Sequence, residues 1–206
     1  RYNGPHISFN SQTSYQYIQD KMGIDQDFSP RNIFYGQNKI RQHMYCQEFT
    51  VKSVNKSRYH WITGAFVFRQ TINRKVDLSR FTDTTRHLTN SGIPTQGIAF
   101  YHQSTLDLLQ GLSCSVGLRY DYEHARCDFS KVQQPLNGNG ETKSLEQFNR
   151  SLHFGQFTPR FSMQYLSSHN QLFYASVSKG YKAGGFNVSF LNNDDYLYSP
   201  EYNWNY

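Results

Sequence analysis

The sequence has no long apolar run, little charge and few cysteines. No stretch approaches the about 18 consecutive apolar residues that indicate a membrane-spanning helix. The mean hydropathy of -0.73 describes a polar chain, and charged residues make up only 17%. The three cysteines, Cys46, Cys114 and Cys127, are an odd number without CxxC spacing. We interpret them as unpaired strand residues, with a partner elsewhere for Cys127 as the alternative.

The positive charge is dispersed along the chain. The net charge is +6, but no cluster of five or more Lys and Arg occurs, so a nucleic-acid-binding patch is not indicated. An excess of this kind suits anionic lipid headgroups or anionic ligands better.

Aromatic and strand-favouring residues are abundant instead. Tyr and Phe number 16 each, which argues against a disordered chain and favours strands. Alternation with period two dominates, most clearly over Leu112–Glu123. Leu112, Cys114, Val116, Leu118, Tyr120 and Tyr122 form an apolar face, and Ser113, Ser115, Gly117, Arg119, Asp121 and Glu123 form a polar one. A transmembrane β-strand has one apolar side, so its mean hydropathy stays polar.

The same alternation predicts about eight strands. They begin near residues 7, 44, 59, 97, 112, 159, 171 and 198. The third has ambiguous facing, because Trp61, Ala65 and Val67 have one parity and Ile62, Phe66 and Phe68 the other. Short connections are predicted at Val54–Arg58, Asp107–Gln110 and Ser167–Asn170. Long ones are predicted at Asp20–Arg41, Arg74–Gln96, Asp128–Phe154 and Phe186–Tyr198.

Alternating short and long connections are typical of an antiparallel transmembrane β-barrel, with short periplasmic turns and long extracellular loops. We therefore predict the all-β class, as a barrel segment. A soluble β-sandwich is the alternative, but it has less regular spacing.

Residues 157–187 read FTPRFSMQYLSSHNQLFYASVSKGYKAGGFN, and YSPEYNWNY closes the chain. This block resembles the barrel of TonB-dependent outer-membrane receptors, with their Pro-Arg strand, short turn and Tyr-Ala-Ser…Gly-Tyr…Gly-Gly-Phe-Asn strand. Gln47-Glu48-Phe49, Trp61 with Gly64, and Gly117-Leu118-Arg119-Tyr120-Asp121 also match in order. The Lys179–Asn187 strand looks more like siderophore receptors than glycan importers.

The resemblance implies a barrel of about 22 strands with a plugged lumen, of which residues 1–206 would be a part, without the plug and the remaining strands. No signal peptide opens the chain, so the N-terminus is expected to be missing. The implied function is TonB-coupled import of a scarce nutrient by an outer-membrane receptor, with an iron–siderophore complex as ligand. The implied partners are the TonB complex, the plug of the same chain, outer-membrane lipid and a metal chelate. The alternatives are a cobalamin, haem or glycan receptor, or a passive porin.

No catalytic constellation and no resident cofactor or metal site is predicted. His124 and Cys127 offer two ligands where a tetrahedral site needs four.

On the polar parity, candidates to face the lumen are Arg119, Asp121, Glu123, Arg160 and Lys182. Substrate-binding candidates in the predicted loops are Lys39, Arg41, His43, Arg80, Arg86 and His87. Arginine beside aromatic rings suits an anionic, aromatic chelate. Gly184 and Gly185 are expected to permit curvature or close packing against a plug.

Overall fold

A computed structural model describes residues 1–54, 57–188 and 196–206. The described residues form β-strands and connections, without an α-helix. Among them, no helix has the length and apolar character needed to cross a membrane.

Eleven strands follow one another along the described parts of the chain. They are β1 (Tyr2–Asn3), β2 (Ile7–Asp25), β3 (Phe34–Ser53), β4 (Tyr59–Arg80), β5 (Thr85–Leu109), β6 (Leu112–Pro135), β7 (Lys143–Leu166), β8 (Leu172–Lys182), β9 (Gly185–Phe186), β10 (Leu197–Tyr198) and β11 (Glu201–Asn205).

Nine of these strands form one antiparallel sheet in the order β1-β2-β3-β4-β5-β6-β7-β8-β11, and β9 pairs with β10 separately. Each strand of the large sheet therefore pairs with its neighbour along the sequence, as in an up-and-down barrel wall. The sheet is open, with β1 and β11 at its edges. The predicted all-β antiparallel architecture is confirmed.

The central strands are much longer than predicted. β2 to β7 contain 19 to 25 residues, whereas a tilted strand crosses the bilayer with about 9–11. At about 3.4 Å per residue, β5 alone measures roughly 85 Å. The long connections predicted at Asp20–Arg41, Arg74–Gln96 and Asp128–Phe154 are mostly strand. Only residues 26–33, 81–84 and 136–142 connect those strands.

The remaining connections agree better with the prediction. β7 and β8 are joined by a turn in which the Asn170 amide donates to the Ser167 carbonyl over 3.0 Å, with Asn170 at φ 59. β5 and β6 are joined through Gln110 and Gly111, and Gly111 has φ 80. Residues 55–56 of the Val54–Arg58 turn and residues 189–195 of the Phe186–Tyr198 connection lie outside the described residues. The eighth predicted strand corresponds to β11 and begins at Glu201.

Candidate ligand-facing wall

The sheet has two faces of different character, which strand pairing identifies residue by residue. The buried strand residues on β2, β5 and β6 all fall on one face, which we call the inner face: Ser8, Ser91, Ala99, Ser113, Ala125, Cys127 and Phe129. Crowding of side chains on one side is expected of a curved sheet that closes towards a lumen. The opposite side is the outer face.

The outer face carries an exposed apolar band. Val116 is 56% exposed, and exposed apolar or aromatic side chains on the other strands face the same way: Phe9, Phe49, Val67, Phe100, Phe161 and Phe173. The apolar side chains predicted to share one face over Leu112–Tyr122 therefore lie together on the outer face of the sheet. In β4, Trp61, Ala65 and Val67 face outward, and Ile62, Phe66 and Phe68 face inward. Pairing resolves the facing that the sequence left open.

Four predicted lumen residues lie on the inner face. Arg119 donates through Nε to Asp121 Oδ2 over 2.8 Å and through Nη2 to Oδ1 over 2.7 Å, and Glu123 follows on the same parity. Arg160 aligns with Gly117 on that face. Lys182 lies where β8 pairs only with β11, and its Nζ donates to Glu201 Oε1 over 3.2 Å.

A tyrosine bridges three strands on the inner face. The Tyr101 hydroxyl of β5 donates to Glu48 Oε1 on β3 over 2.8 Å and lies 3.0 Å from Thr50 Oγ1. β4 lies between them, and there Gly64 leaves the space over which the ring passes. A Cβ on Gly64 would meet the Tyr101 ring and lie 2.7 Å from the Phe49 carbonyl oxygen. Glycine covered by a cross-strand aromatic ring is a known device of sheet packing.

Beside this bridge lies an open inner-face groove of about 370 Å³. The inward side chains that line it are Glu48, Tyr101, Gln103, Arg119, Thr158, Arg160 and Ser178. Both acidic and basic groups are present, so the groove can accept a polar surface with donors and acceptors of its own.

Basic side chains outnumber acidic ones on the inner face near one end of the strands. This end, which we call the loop end, carries the connections 26–33, 81–84 and 136–142. By register, Arg74, Arg80, His87, Lys131 and Arg150 all face inward. The Arg80 guanidinium carbon lies 5.5 Å from the Phe34 ring centroid, and Arg74 Nε donates to Asn38 Oδ1 over 2.9 Å. This places arginine next to an aromatic ring on the inner face.

The predicted substrate-binding residues do not form one site. Lys39, Arg41 and His43 lie on β3 rather than in a loop, and they face outward with Tyr45 and Phe49. Arg86 also faces outward and is paired with Asp77. Only Arg80 and His87 share the inner face. Sequence reasoning missed Arg74, Lys131 and Arg150, whose inward facing follows from the parity of β4, β6 and β7 once those strands are extended.

His124 and Cys127 do not share a site either. The imidazole of His124 faces outward and stacks on His153 with ring centroids 4.4 Å apart. Cys127 faces inward and is fully buried. The two possible metal ligands therefore lie on opposite sides of the sheet.

The segment after β8 packs onto the inner face. Phe186 forms a buried cluster with Ala125, Cys127 and Phe129, and the rings of Phe148 and Tyr196 lie 4.7 Å apart. At Gly184, a Cβ would lie 2.6 Å from the Tyr198 carbonyl oxygen and 2.9 Å from the Phe154 ring. Gly184 therefore permits close packing against groups of the same sheet and the β10 strand.

Comparisons with known proteins agree with this geometry. The model of the family described as TonB dependent receptor-like, beta-barrel matches residues 1–206. The fold is similar to the crystal structure of the ferric yersiniabactin uptake receptor FyuA from Yersinia pestis, with a TM-score of 0.77 and 16% sequence identity. The match covers 98% of this chain and 30% of that one. The chain thus spans about a third of the length of the receptor that it resembles.

Proposed function

The chain belongs to the TonB-dependent receptor β-barrel family, and on this premise we propose that it forms part of the barrel wall of a receptor that imports an iron–siderophore complex. The family consists of transport receptors of the bacterial outer membrane rather than enzymes. Residues 1–206 would supply one sector of a barrel of about 22 strands.

The inward cations at the loop end are the observation that carries the ligand proposal. Arg74, Arg80, Lys131 and Arg150 face inward there, as does His87. The inward acids among the described residues of β2 to β7 at this end are Asp20 and Glu146. A surplus of positive charge attracts an anionic ligand, and guanidinium groups bind carboxylates and other oxyanions with directed hydrogen bonds.

Aromatic rings accompany these cations. Phe34 lies beside Arg80, and Phe129 and Phe148 stack at 4.8 Å between centroids. Many siderophores present aromatic, anionic iron-binding groups, so rings next to arginines suit both properties. The uptake of ferric yersiniabactin by FyuA supports the same ligand class, through a shared fold.

The part of the inner face that lies away from the loop end would contact the plug, through which the energy-coupling step acts. The groove around Tyr101, Arg119 and Arg160 has matched donors and acceptors, as expected of a surface that packs against a plug in the lumen. Coupling to the TonB complex would then act through the plug. A passive porin would need neither a plug nor energy.

Ligand binding by full-length protein in detergent tests the proposal. The double variant Arg80→Gln/Lys131→Gln removes two inward cations at the loop end. Affinity for anionic ferric catecholate or phenolate chelates should fall about 10- to 100-fold, because charge-assisted contacts are lost. The charge-matched control Lys52→Gln/Arg58→Gln lies at the opposite end of the strands and should bind normally.

Fluorescence titration would measure the affinity, and uptake of the iron-loaded chelate by cells would measure transport with and without an energised inner membrane. Unchanged affinity in the Arg80/Lys131 variant would contradict this inner-face site. Preferential binding of cobalamin, haem or a glycan would contradict the siderophore assignment, and energy-independent uptake would indicate a porin.

A further inference from the structure

The alternation of apolar and polar side chains reverses towards the loop end of β2 and β4. Within the apolar band, Phe9 of β2 and Val67 of β4 face outward. Nearer the loop end, the apolar residues of these two strands face inward instead: Ile18, Met22, Ile24, Ile72, Val76 and Leu78. Ile40 of β3 lies between the two strands and also faces inward. Together with Ile40, these residues form what we call the inner apolar patch.

The β2 side chains of the patch remain exposed in the described structure. The exposed fractions are 40% for Ile18, 46% for Met22 and 38% for Ile24. The outward residues that alternate with them include Gln19 and Lys21, which are polar. Apolar surface in contact with water is unfavourable in proportion to its area, and contiguous patches of this kind mark binding surfaces. The patch therefore calls for an apolar occupant on the lumen side.

The inner apolar patch borders the inward cations of the loop end. One row in direct register crosses the inner face from β2 to β6: Met22, Asn38, Val76, Thr89 and Lys131. Neighbouring strands lie about 4.8 Å apart, so Val76 is roughly 10 Å from Lys131. On β4 itself, Arg74 lies between Ile72 and Val76 on the inward parity. One surface thus presents hydrocarbon on β2 to β4 and positive charge on β4 to β7.

A carboxylate on β2 gives this surface a direction. Asp20 faces inward between Ile18 and Met22. In register it lies opposite Ile40, and Ile40 lies opposite Arg74. The anionic end of a ligand is repelled by Asp20 and attracted by the cations of β4 to β7. Its charged head therefore belongs on β4 to β7, and its uncharged part on β2 and β3.

The side chains of the patch are aliphatic rather than aromatic. The inward rings at the loop end lie beside the cations, with Phe34 near Arg80 and with Phe129 stacked on Phe148. Along β2 the patch extends from Ile18 to Ile24, which is about 20 Å at 3.4 Å per residue. An elongated aliphatic surface suits a flexible hydrocarbon chain, and the unbranched side chain of a methionine adapts to such a chain.

We propose that the receptor takes up an amphiphilic ferric chelate, in which an anionic iron-binding head carries a linear acyl chain. The head would contact Arg80 and Lys131, and the chain would lie across the inner apolar patch from Val76 to Met22. The inference rests on the proposed function, because it names the class of siderophore that the same site accepts. A chelate without a chain would leave the aliphatic surface in water.

A pair of ligands with one head tests the chain separately from the head. The probes are ferric complexes of one catecholate chelator that carries either an octanoyl or an acetyl group. Binding is measured by fluorescence titration of the full-length protein in lipid nanodiscs, and empty nanodiscs give the partitioning of the chain into lipid. The octanoyl chelate should bind about 10- to 100-fold more tightly than the acetyl chelate, because buried methylene groups add affinity.

The double variant Met22→Gln/Val76→Thr keeps the size of both side chains but makes them polar. It should lose most of the advantage of the octanoyl chelate and bind the acetyl chelate as the unaltered protein does. The control Ile62→Thr/Leu172→Gln makes similar changes on the inner face at the opposite end of the strands and should keep the advantage. If the double variant does not fold, Val76→Thr alone takes its place, with a smaller loss expected.

The outcomes separate this inference from the proposed function. Equal affinity for the two chelates would overturn the acyl-chain site and leave the siderophore assignment standing, and it would mean that other parts of the receptor cover the patch. An advantage that persists in the Met22/Val76 variant, or that the control loses equally, would also overturn the site. Failure of both chelates to bind the unaltered protein would overturn the proposed function and this inference with it.

Discussion

The Tyr101 hydroxyl and the Glu48 carboxylate are joined by a 2.8 Å hydrogen bond although their strands are not neighbours. The bond is possible because Gly64, on the intervening strand, has no side chain under the tyrosine ring. Three strands are thereby tied together on the inner face by one side chain. The backbone ladder alone connects only adjacent strands.

Gly64→Ala should weaken this connection. The added methyl group would meet both the Tyr101 ring and the Phe49 carbonyl oxygen, which belongs to the backbone and cannot move aside easily. Overpacking of this kind costs about 1–3 kcal/mol. Urea titration of the full-length protein in lipid vesicles, followed by tryptophan fluorescence, would measure the loss of unfolding free energy.

Gly92→Ala is the matched control for that substitution. A Cβ on Gly92 would meet only the Asn73 side-chain oxygen, at 3.4 Å. Its effect should therefore stay within about 0.5 kcal/mol, as for most changes without a clash. Similar losses at Gly64 and Gly92 would show that the tyrosine bridge does not contribute.

The parts of the fold within the apolar band were predictable from sequence. In β6, the outward-facing Val116 and Leu118 alternate with Ser115 and Gly117, so the period of two appears in the hydropathy. Beyond that band the outer face is polar, as at Lys39 and Lys75, and apolar side chains such as Val76 and Phe129 face inward, so the apolar parity of the band does not continue. The extension of β2 to β7 was missed for this reason, since backbone pairing and not side-chain hydropathy defines it there.

The residues of the candidate site could not be grouped correctly from the sequence, because the strand extensions that carry them were not predicted. Facing alternates along a strand, so a residue can be assigned to a side only when its strand and register are known. Arg41 and Arg80 were grouped as loop residues, but pairing places them on opposite faces. Lys131 and Arg150 fall in the predicted Asp128–Phe154 connection, so their facing could be assigned only once β6 and β7 were known to extend through it.

Val116→Arg tests the assigned outer face directly. Val116 is 56% exposed in the middle of the apolar band, so an arginine there would place a charge in lipid. Near the bilayer midplane this costs about 2–4 kcal/mol. The unfolding free energy in vesicles of defined lipid is the quantity to measure.

Ser115→Arg is the neighbouring comparison. Ser115 faces inward and its hydroxyl lies 2.7 Å from Thr105 Oγ1, so the expected cost is about 1 kcal/mol for the lost hydrogen bond. A cost at Ser115 as large as that at Val116 would mean that the two faces are assigned wrongly.

Asp27 organises the connection between β2 and β3 through its carboxylate. Oδ1 accepts hydrogen bonds from the Ser29 hydroxyl and amide, and Oδ2 accepts them from the Ile33 and Phe34 amides over 3.0 and 2.8 Å. These bonds, that of the Ser29 side chain above all, hold the pKa of Asp27 well below its ordinary value. The charged form is therefore the one that the folded loop favours.

The sign of the pH effect follows from this lowered pKa. The stabilisation of the loop is fully present above the ordinary aspartate pKa of about 4, and it is lost as the pH falls through the lower folded pKa. Amide exchange of residues 26–34, corrected for intrinsic rates, should show constant protection from pH 7 to about 5 and declining protection below about 4. Asp27→Asn should be less protected throughout and should lack that decline, because its amide does not titrate. Glu141→Gln, in the exposed connection between β6 and β7, should leave the Asp27 profile unchanged. A decline of the same size in Asp27→Asn would assign the pH dependence to another group.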